Sequence, residues 1–134
     1  MSETFHIKHQ SGTRFTATNE DYSVVTGKGG SGKGEDGMSP GQLLISVLGM
    51  CMGVTMVAYC KNHGIPYEGM EIEMSRENTG DGRRLKAAKV QVKVPAELSD
   101  KDLNVLTRVA HRCYIGHTLR NGTDVDIDVS IAGE

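Results

Sequence analysis

Apolar and polar residues alternate with a period of two through the first quarter of the chain. Phe5 and Ile7 stand between polar neighbours, Arg14-Phe15-Thr16-Ala17-Thr18 repeats the pattern, and Tyr22-Ser23-Val24-Val25 follows a Glu-Asp turn. Three short strands are expected. Residues 27–37 are then glycine-rich and charged, the composition of a loop. Ser39-Pro40 closes it with the residue types favoured at the N-cap and first position of a helix. The next 18 residues, 43–60, carry no charge at all. A helix with no polar face is one buried all round. The same length is the lower limit for a membrane span. Ser46, Gly49, Gly53 and Thr55 interrupt the run, no aromatic anchors flank it and the rest of the chain is polar, so no membrane partner is expected. One sheet from so short a chain covers only one side of such a helix. A second copy of the chain is the simplest cover for the other side, and Gly49-x-x-x-Gly53 would admit a close backbone.

The second half of the chain is patterned as clearly. Gly64 suits a helix C-cap and Pro66 bars continuation. Met70, Ile72 and Met74 form one strand face, and Val90, Val92 and Val94 alternate with Lys89, Gln91 and Lys93. The polar stretch 77–82 between them reads as a hairpin turn. Ser99-Asp100-Lys101-Asp102 has the form of a capping box and opens a second helix, with a stripe of Leu103, Leu106, Val109 or Ala110, and Cys113. A short helical piece is expected around His117-Thr118-Leu119. The tail alternates strictly, predicting a last strand with Val125, Ile127, Val129 and Ile131 inward and Asp124, Asp126 and Asp128 outward. No repeat, linker or composition shift divides the chain. The expectation is one domain over residues 1–134, an α+β fold with largely antiparallel pairing.

Composition narrows the function classes. Fifteen Lys and Arg against 17 Asp and Glu give a net charge of -2, without the basic excess of a nucleic-acid binder. Apolar residues make up 37% and aromatics 4%, with no Trp, so the core must be aliphatic and methionine-rich. Three cysteines are an odd number and too few for a disulfide framework. The sequence Met1-Ser2-Glu3-Thr4-Phe5-His6 shows neither the basic nor the apolar region of a secretory signal. A cytoplasmic protein with reduced thiols is expected.

Several motifs invite chemistry. The run from Gly27 through Lys33 to Gly34 nearly spells a phosphate loop, but Gly34 stands where Ser or Thr should hold magnesium, and Glu35 and Asp36 would repel phosphate. Asp124, Asp126 and Asp128 have calcium-loop spacing, yet Val129 occupies the required glycine and the residues between are strand formers. His111, Cys113 and His117, with Cys51 as a fourth donor, could make a zinc site, although no second cluster matches them. The thiols are the better lead. Cys51 is mid-helix between Met50 and Met52, some three turns from the N-terminus, too deep for the dipole of its own helix to lower its pKa. Cys60, nine residues on, falls on the opposite helix face and reads as structural. Cys113 extends the inward stripe of the second helix, near Arg108, His111 and Arg112. From these residues, a dithiol redox site and plain core packing are equally open.

Ser39-Pro40-Gly41-Gln42-Leu43-Leu44 leading to Gly49-Met50-Cys51, with Cys113 followed by His117-Thr118-Leu119, resembles the OsmC/Ohr family (osmotically inducible and organic-hydroperoxide-resistance proteins). The resemblance extends over nearly the whole chain in element order. It implies antiparallel sheets wrapped around long central helices in an intertwined homodimer. It further implies a thiol peroxidase that reduces small organic hydroperoxides and is reset by an external dithiol or thiol, with no cofactor or metal. Cys51 matches the family's peroxidatic cysteine, Cys113 its resolving one, and Arg14 the arginine that holds the thiolate. Two positions depart from the pattern. The Glu expected ten residues before the cysteine is Gly41, leaving Gln42 as the neighbouring acceptor, and the Pro often found after the resolving cysteine is Tyr114. These place the chain nearer the OsmC-like branch. The competing expectation is a dimeric protein that binds an apolar ligand in a Met-lined cavity and leaves its thiols inert.

Overall fold

The structure is a computed structural model, which describes residues 3–30 and 36–133. In chain order they form β1 (His6–Ser11), β2 (Arg14–Asn19), β3 (Tyr22–Thr26), α1 (Pro40–Asn62), β4 (Glu71–Asn78), β5 (Leu85–Lys93), α2 (Asp100–His111) and α3 (Tyr114–Asn121). This mixed α/β arrangement agrees with the alternations read from the sequence, save at the C-terminus. The described chain divides into two compact units, residues up to 49 with 73–91, and residues 50–72 with 92–133.

The first unit holds the β1-β2-β3 meander, antiparallel throughout, with Ile7 opposite Ala17 and Ala17 opposite Val24. Gly12 turns β1 into β2 at φ +55°, and a Cβ there would lie 2.5 Å from the Lys28 carbonyl oxygen. Only glycine satisfies both demands. The start of α1 is fixed reciprocally. Ser39 Oγ accepts the Gln42 N–H at 3.1 Å, and Gln42 Oε1 accepts the Ser39 N–H at 2.9 Å, a complete capping box. The β4–β5 turn closes through Thr79, whose N–H donates to the Arg84 carbonyl at 2.9 Å.

In the second unit, the later turns of α1 supply Met56 and Cys60, and α2 supplies Leu106 and Val109. These four buried residues form its core, flanked by Tyr59, Ile65, Tyr67, Val92 and Val94. α1 ends at a left-handed Gly64 (φ +66°), with the Ile65 N–H reaching back to the Cys60 carbonyl at 2.9 Å. At 23 residues α1 is long and apolar enough to cross a bilayer on length and composition, a test that core helices of soluble proteins also pass. Gly53 is covered by its own chain: a Cβ there would lie 3.1 Å from Ile72 Cδ1.

Three expectations need correction. Leu103, one turn before the buried pair on α2, is left exposed. Cys113 does not continue α2. That helix stops at His111, the Arg112 N–H bonds back to Val109 and Ala110, and Cys113 becomes the N-cap of α3. No strand forms over the tail. Among the described residues no backbone group bonds to 123–131, and Val125, Ile127, Val129 and Ile131 are all exposed. Alternation specifies a strand only when a neighbouring strand takes its hydrogen bonds.

Candidate active site

Arg14 opens β2 in the first unit and is buried, 8% exposed. Its Nη2 donates to Asp36 Oδ1 at 2.9 Å and its Nη1 reaches Ser11 Oγ at 3.5 Å. The guanidinium lies against the loop backbone, so close that a Cβ on Gly29 would meet Nη2 at 2.5 Å. Asp36 Oδ1 also accepts the Gly29 N–H at 2.9 Å. That backbone bond, then Arg14, holds the Asp36 carboxyl below the usual carboxylate range. Residues 31–34 of the phosphate-loop look-alike, and Glu35, lie outside the described residues.

Position 41 is empty of a side chain, and the room beside it belongs to Arg76, whose Nη1 would lie 3.1 Å from a Cβ on Gly41. Gln42 does not substitute for the missing Glu, because its Oε1 is committed to the helix cap. The acid on Arg14 is instead Asp36, from the far end of the glycine-rich loop. Sequence reasoning passed over it as a residue that would merely repel phosphate.

The second unit brings two thiols together. Cys113 caps α3 with extended backbone (φ -63°, ψ 149°), and its Sγ accepts the Gly116 N–H at 3.2 Å. Cys51 Sγ accepts the neighbouring Ile115 N–H at 3.5 Å. Both therefore sit on the positive end of α3, where unsatisfied amides favour a negative sulfur. Cys51 is also among the groups that raise the Cys113 pKa. Cys51 lies mid-way along α1, and the amide its sulfur meets belongs to a second helix, α3. That arrangement depends on α3 beginning at Cys113, which periodicity did not indicate.

Burial pushes the Cys113 thiol above its ordinary pKa, the Gly116 N–H opposes this, Cys51 raises it further, and Arg120 draws it down. Arg120, not named among the candidate cations, is tied to the turn by donating to the His111 carbonyl. Cys60 is different. It is fully buried, and burial alone raises its pKa. The three cysteines are free thiols. Among the described residues no three His, Cys, Asp or Glu side chains converge, so His111, Cys113 and His117 do not assemble as metal ligands. Asp124, Asp126 and Asp128 lie exposed on the irregular tail.

Residues 30–128 match the family model described as OsmC-like protein. The chain belongs to this family. The matched region includes Cys51 and Cys113 and leaves Arg14 outside. Solved OsmC-like structures share the fold. A Psychrobacter arcticus 273-4 protein ascribed to osmotic stress induction and detoxification response superposes with a TM-score of 0.76 at 23% identity, covering 88% of each chain. An OsmC-like protein from Mycoplasma pneumoniae gives 0.72 at 15% identity, covering 90% of this chain and 88% of its own. The organic hydroperoxide resistance protein OhrB of Bacillus subtilis gives 0.56 at 20% identity, covering 90% of this chain and 93% of its own. No curated protein sequence matches the chain.

Proposed function

We propose that this OsmC-like chain is a single-domain, cytoplasmic thiol peroxidase that reduces organic hydroperoxides. The observation that carries this reading is that the sulfurs of Cys51 and Cys113 each accept an amide at the N-terminus of α3. Cys51 as thiolate attacks the distal peroxide oxygen. The O–O bond breaks, the alkoxide takes a proton and leaves as alcohol, and Cys51 becomes a sulfenic acid. The Cys113 thiolate then attacks that sulfur, expelling hydroxide that is protonated to water, and the disulfide forms. An external dithiol returns both to thiols. The amides of Ile115 and Gly116 favour the anionic sulfurs on which each step depends. Arg14, held in one place by Asp36, is the proposed cation for the Cys51 thiolate and the departing alkoxide.

The working form is proposed to be a homodimer. Met50 and Val54 expose apolar surface one turn apart on α1, and the tail adds Val125, Ile127, Val129 and Ile131. Soluble chains seldom leave so much apolar surface uncovered. Sedimentation at micromolar concentration should give the dimer mass, and a stable folded monomer would overturn this part.

The second reading, an apolar-ligand protein with inert thiols, draws on the upward push that burial gives Cys113. One experiment separates the two. Stoichiometric tert-butyl hydroperoxide, followed by peptide mass spectrometry, should yield an intrachain Cys51–Cys113 disulfide with Cys60 free. The bond needs Cα atoms roughly 4.4–6.8 Å apart. A bridge through Cys60, or a Cys51 that survives excess peroxide as thiol, would favour the binding protein.

A further inference from the structure

The β4–β5 hairpin carries a charge arrangement that thiol chemistry does not use. Along β4, Glu71, Glu73 and Glu77 stand on one face, while Ile72, Met74, Arg76 and Asn78 share the other. Arg76 thus continues a row that starts apolar. The turn adds Arg83 and Arg84, and the three arginines line a cleft of roughly 320 Å³. Gly41, Leu44 and Ile45 of α1 form the facing wall, with Leu85 beside them. All of these residues lie within the first unit.

Among the described residues no acid answers these cations: no Asp or Glu among them lines the cleft, and the first turn of α1 carries none. The two acids nearest in the hairpin are engaged elsewhere. Glu77 pairs with Lys86 at 3.1 Å. Asp81 accepts the Thr79 hydroxyl at 2.6 Å and the Arg83 N–H at 3.0 Å, building the turn. Among the described residues none of the three arginines has a salt-bridge partner. The turn bonds also fix the backbone from which Arg83 and Arg84 project, since the Arg84 N–H donates to Thr79 Oγ1 at 3.3 Å.

We propose that this cleft binds a small phosphomonoester. A phosphate dianion presents three oxygens to three guanidiniums, each able to bond two of them at once. A monocarboxylate would answer one cation and leave two facing each other. Leu44, Ile45 and Leu85 give the organic group an apolar wall, and the volume is that of a small-ligand site. A nucleic-acid strand fits poorly: no aromatic side chain lines the cleft for bases to stack on, and the chain is acidic overall. The site uses neither Cys51 nor Cys113, so it stands apart from the peroxidase reading.

Calorimetry on the reduced full-length protein at low salt tests it, with phenyl phosphate, inorganic phosphate and benzoate as probes. Phenyl phosphate should bind saturably, about tenfold or more tighter than benzoate, which shares its ring and carries one charge. Arg76→Ala and the double variant R83A/R84A should each weaken it by about tenfold or more. Gly41→Leu should abolish binding by filling the cleft from its opposite wall while keeping every charge. Cys51→Ser should bind as the parent does. Equal affinity for benzoate, no saturable binding of phenyl phosphate at millimolar concentration, or binding that survives both Arg76→Ala and Gly41→Leu would overturn the proposal.

Discussion

Cys60 and Cys113 are equally hidden, at 0% and 1% exposed, and burial raises the pKa of both. Their surroundings have nothing else in common. Cys60 lies among Met56, Leu106 and Val109, and burial is the one cause that moves its pKa. Cys113 receives a backbone amide and feels both Arg120 and Cys51. Burial measures only the cost of making a charge, and what the fold places within reach decides whether that cost is offset. By that measure one thiol is a small hydrophobe and the other suits the resolving role proposed for it.

The sharpest way to break the contrast is substitution. Cys51→Ser should lower peroxide consumption on the order of a thousandfold or more, because the proposed nucleophile is gone. Cys60→Ser should leave consumption intact and instead cost about 1–3 kcal/mol of stability, from a hydroxyl buried without a partner. A peroxidase assay beside a urea titration reads both. If Cys60→Ser abolished peroxide consumption without unfolding the protein, the two roles would have to be exchanged.

The core around Cys60 gives the next largest effect. Met56→Ala should destabilise by about 2–5 kcal/mol, through lost burial and the cavity left behind. Denaturant melts would show this, while peroxide consumption per folded molecule should be unchanged.

How much of this contrast could be read in advance depends on what each feature needs. The capping pairs, the Met70–Ile72–Met74 alternation and the opposed faces of Cys51 and Cys60 are local, and the sequence displays them. Cys113 was placed inward correctly but on the wrong helix, because its three- and four-residue spacing continues the α2 stripe through the break at Arg112. Asp36 finds Arg14 across 22 residues by loop closure, and Arg76 reaches Gly41 through strand placement. Neither distance is encoded in spacing. The tail alternates like a strand, yet alternation names a face and leaves the partner unspecified.

Acid and base sharpen the comparison further. In the proposed cycle Cys113 attacks as the thiolate, and its pKa in the fold is raised. Closure of the Cys51–Cys113 disulfide should therefore quicken by about tenfold per pH unit and still be climbing at about pH 8.5, where an ordinary thiol is half ionised. Stopped-flow measurement of sulfenic acid decay checks this, and a rate flat from pH 6 to 8 would refute the raised pKa. Linkage has the same sign for both buried thiols. Their stabilising contribution is complete below the ordinary thiol range and is lost as pH rises through the raised folded values.

The smallest effect expected is at Arg14. Arg14→Ala should slow iodoacetamide alkylation of Cys51 at neutral pH by a few-fold, with circular dichroism unchanged. An unaltered rate would leave the α3 amides as the activating group.

The first turn of α3 is closed by sulfur where most helices use oxygen. A thiol is a weak acceptor and a thiolate a strong one. The Ile115 and Gly116 amide protons should therefore exchange with deuterium at a rate set by the chemical state of the two sulfurs. That turn is a built-in gauge, readable by nuclear magnetic resonance without a dye or a cysteine label.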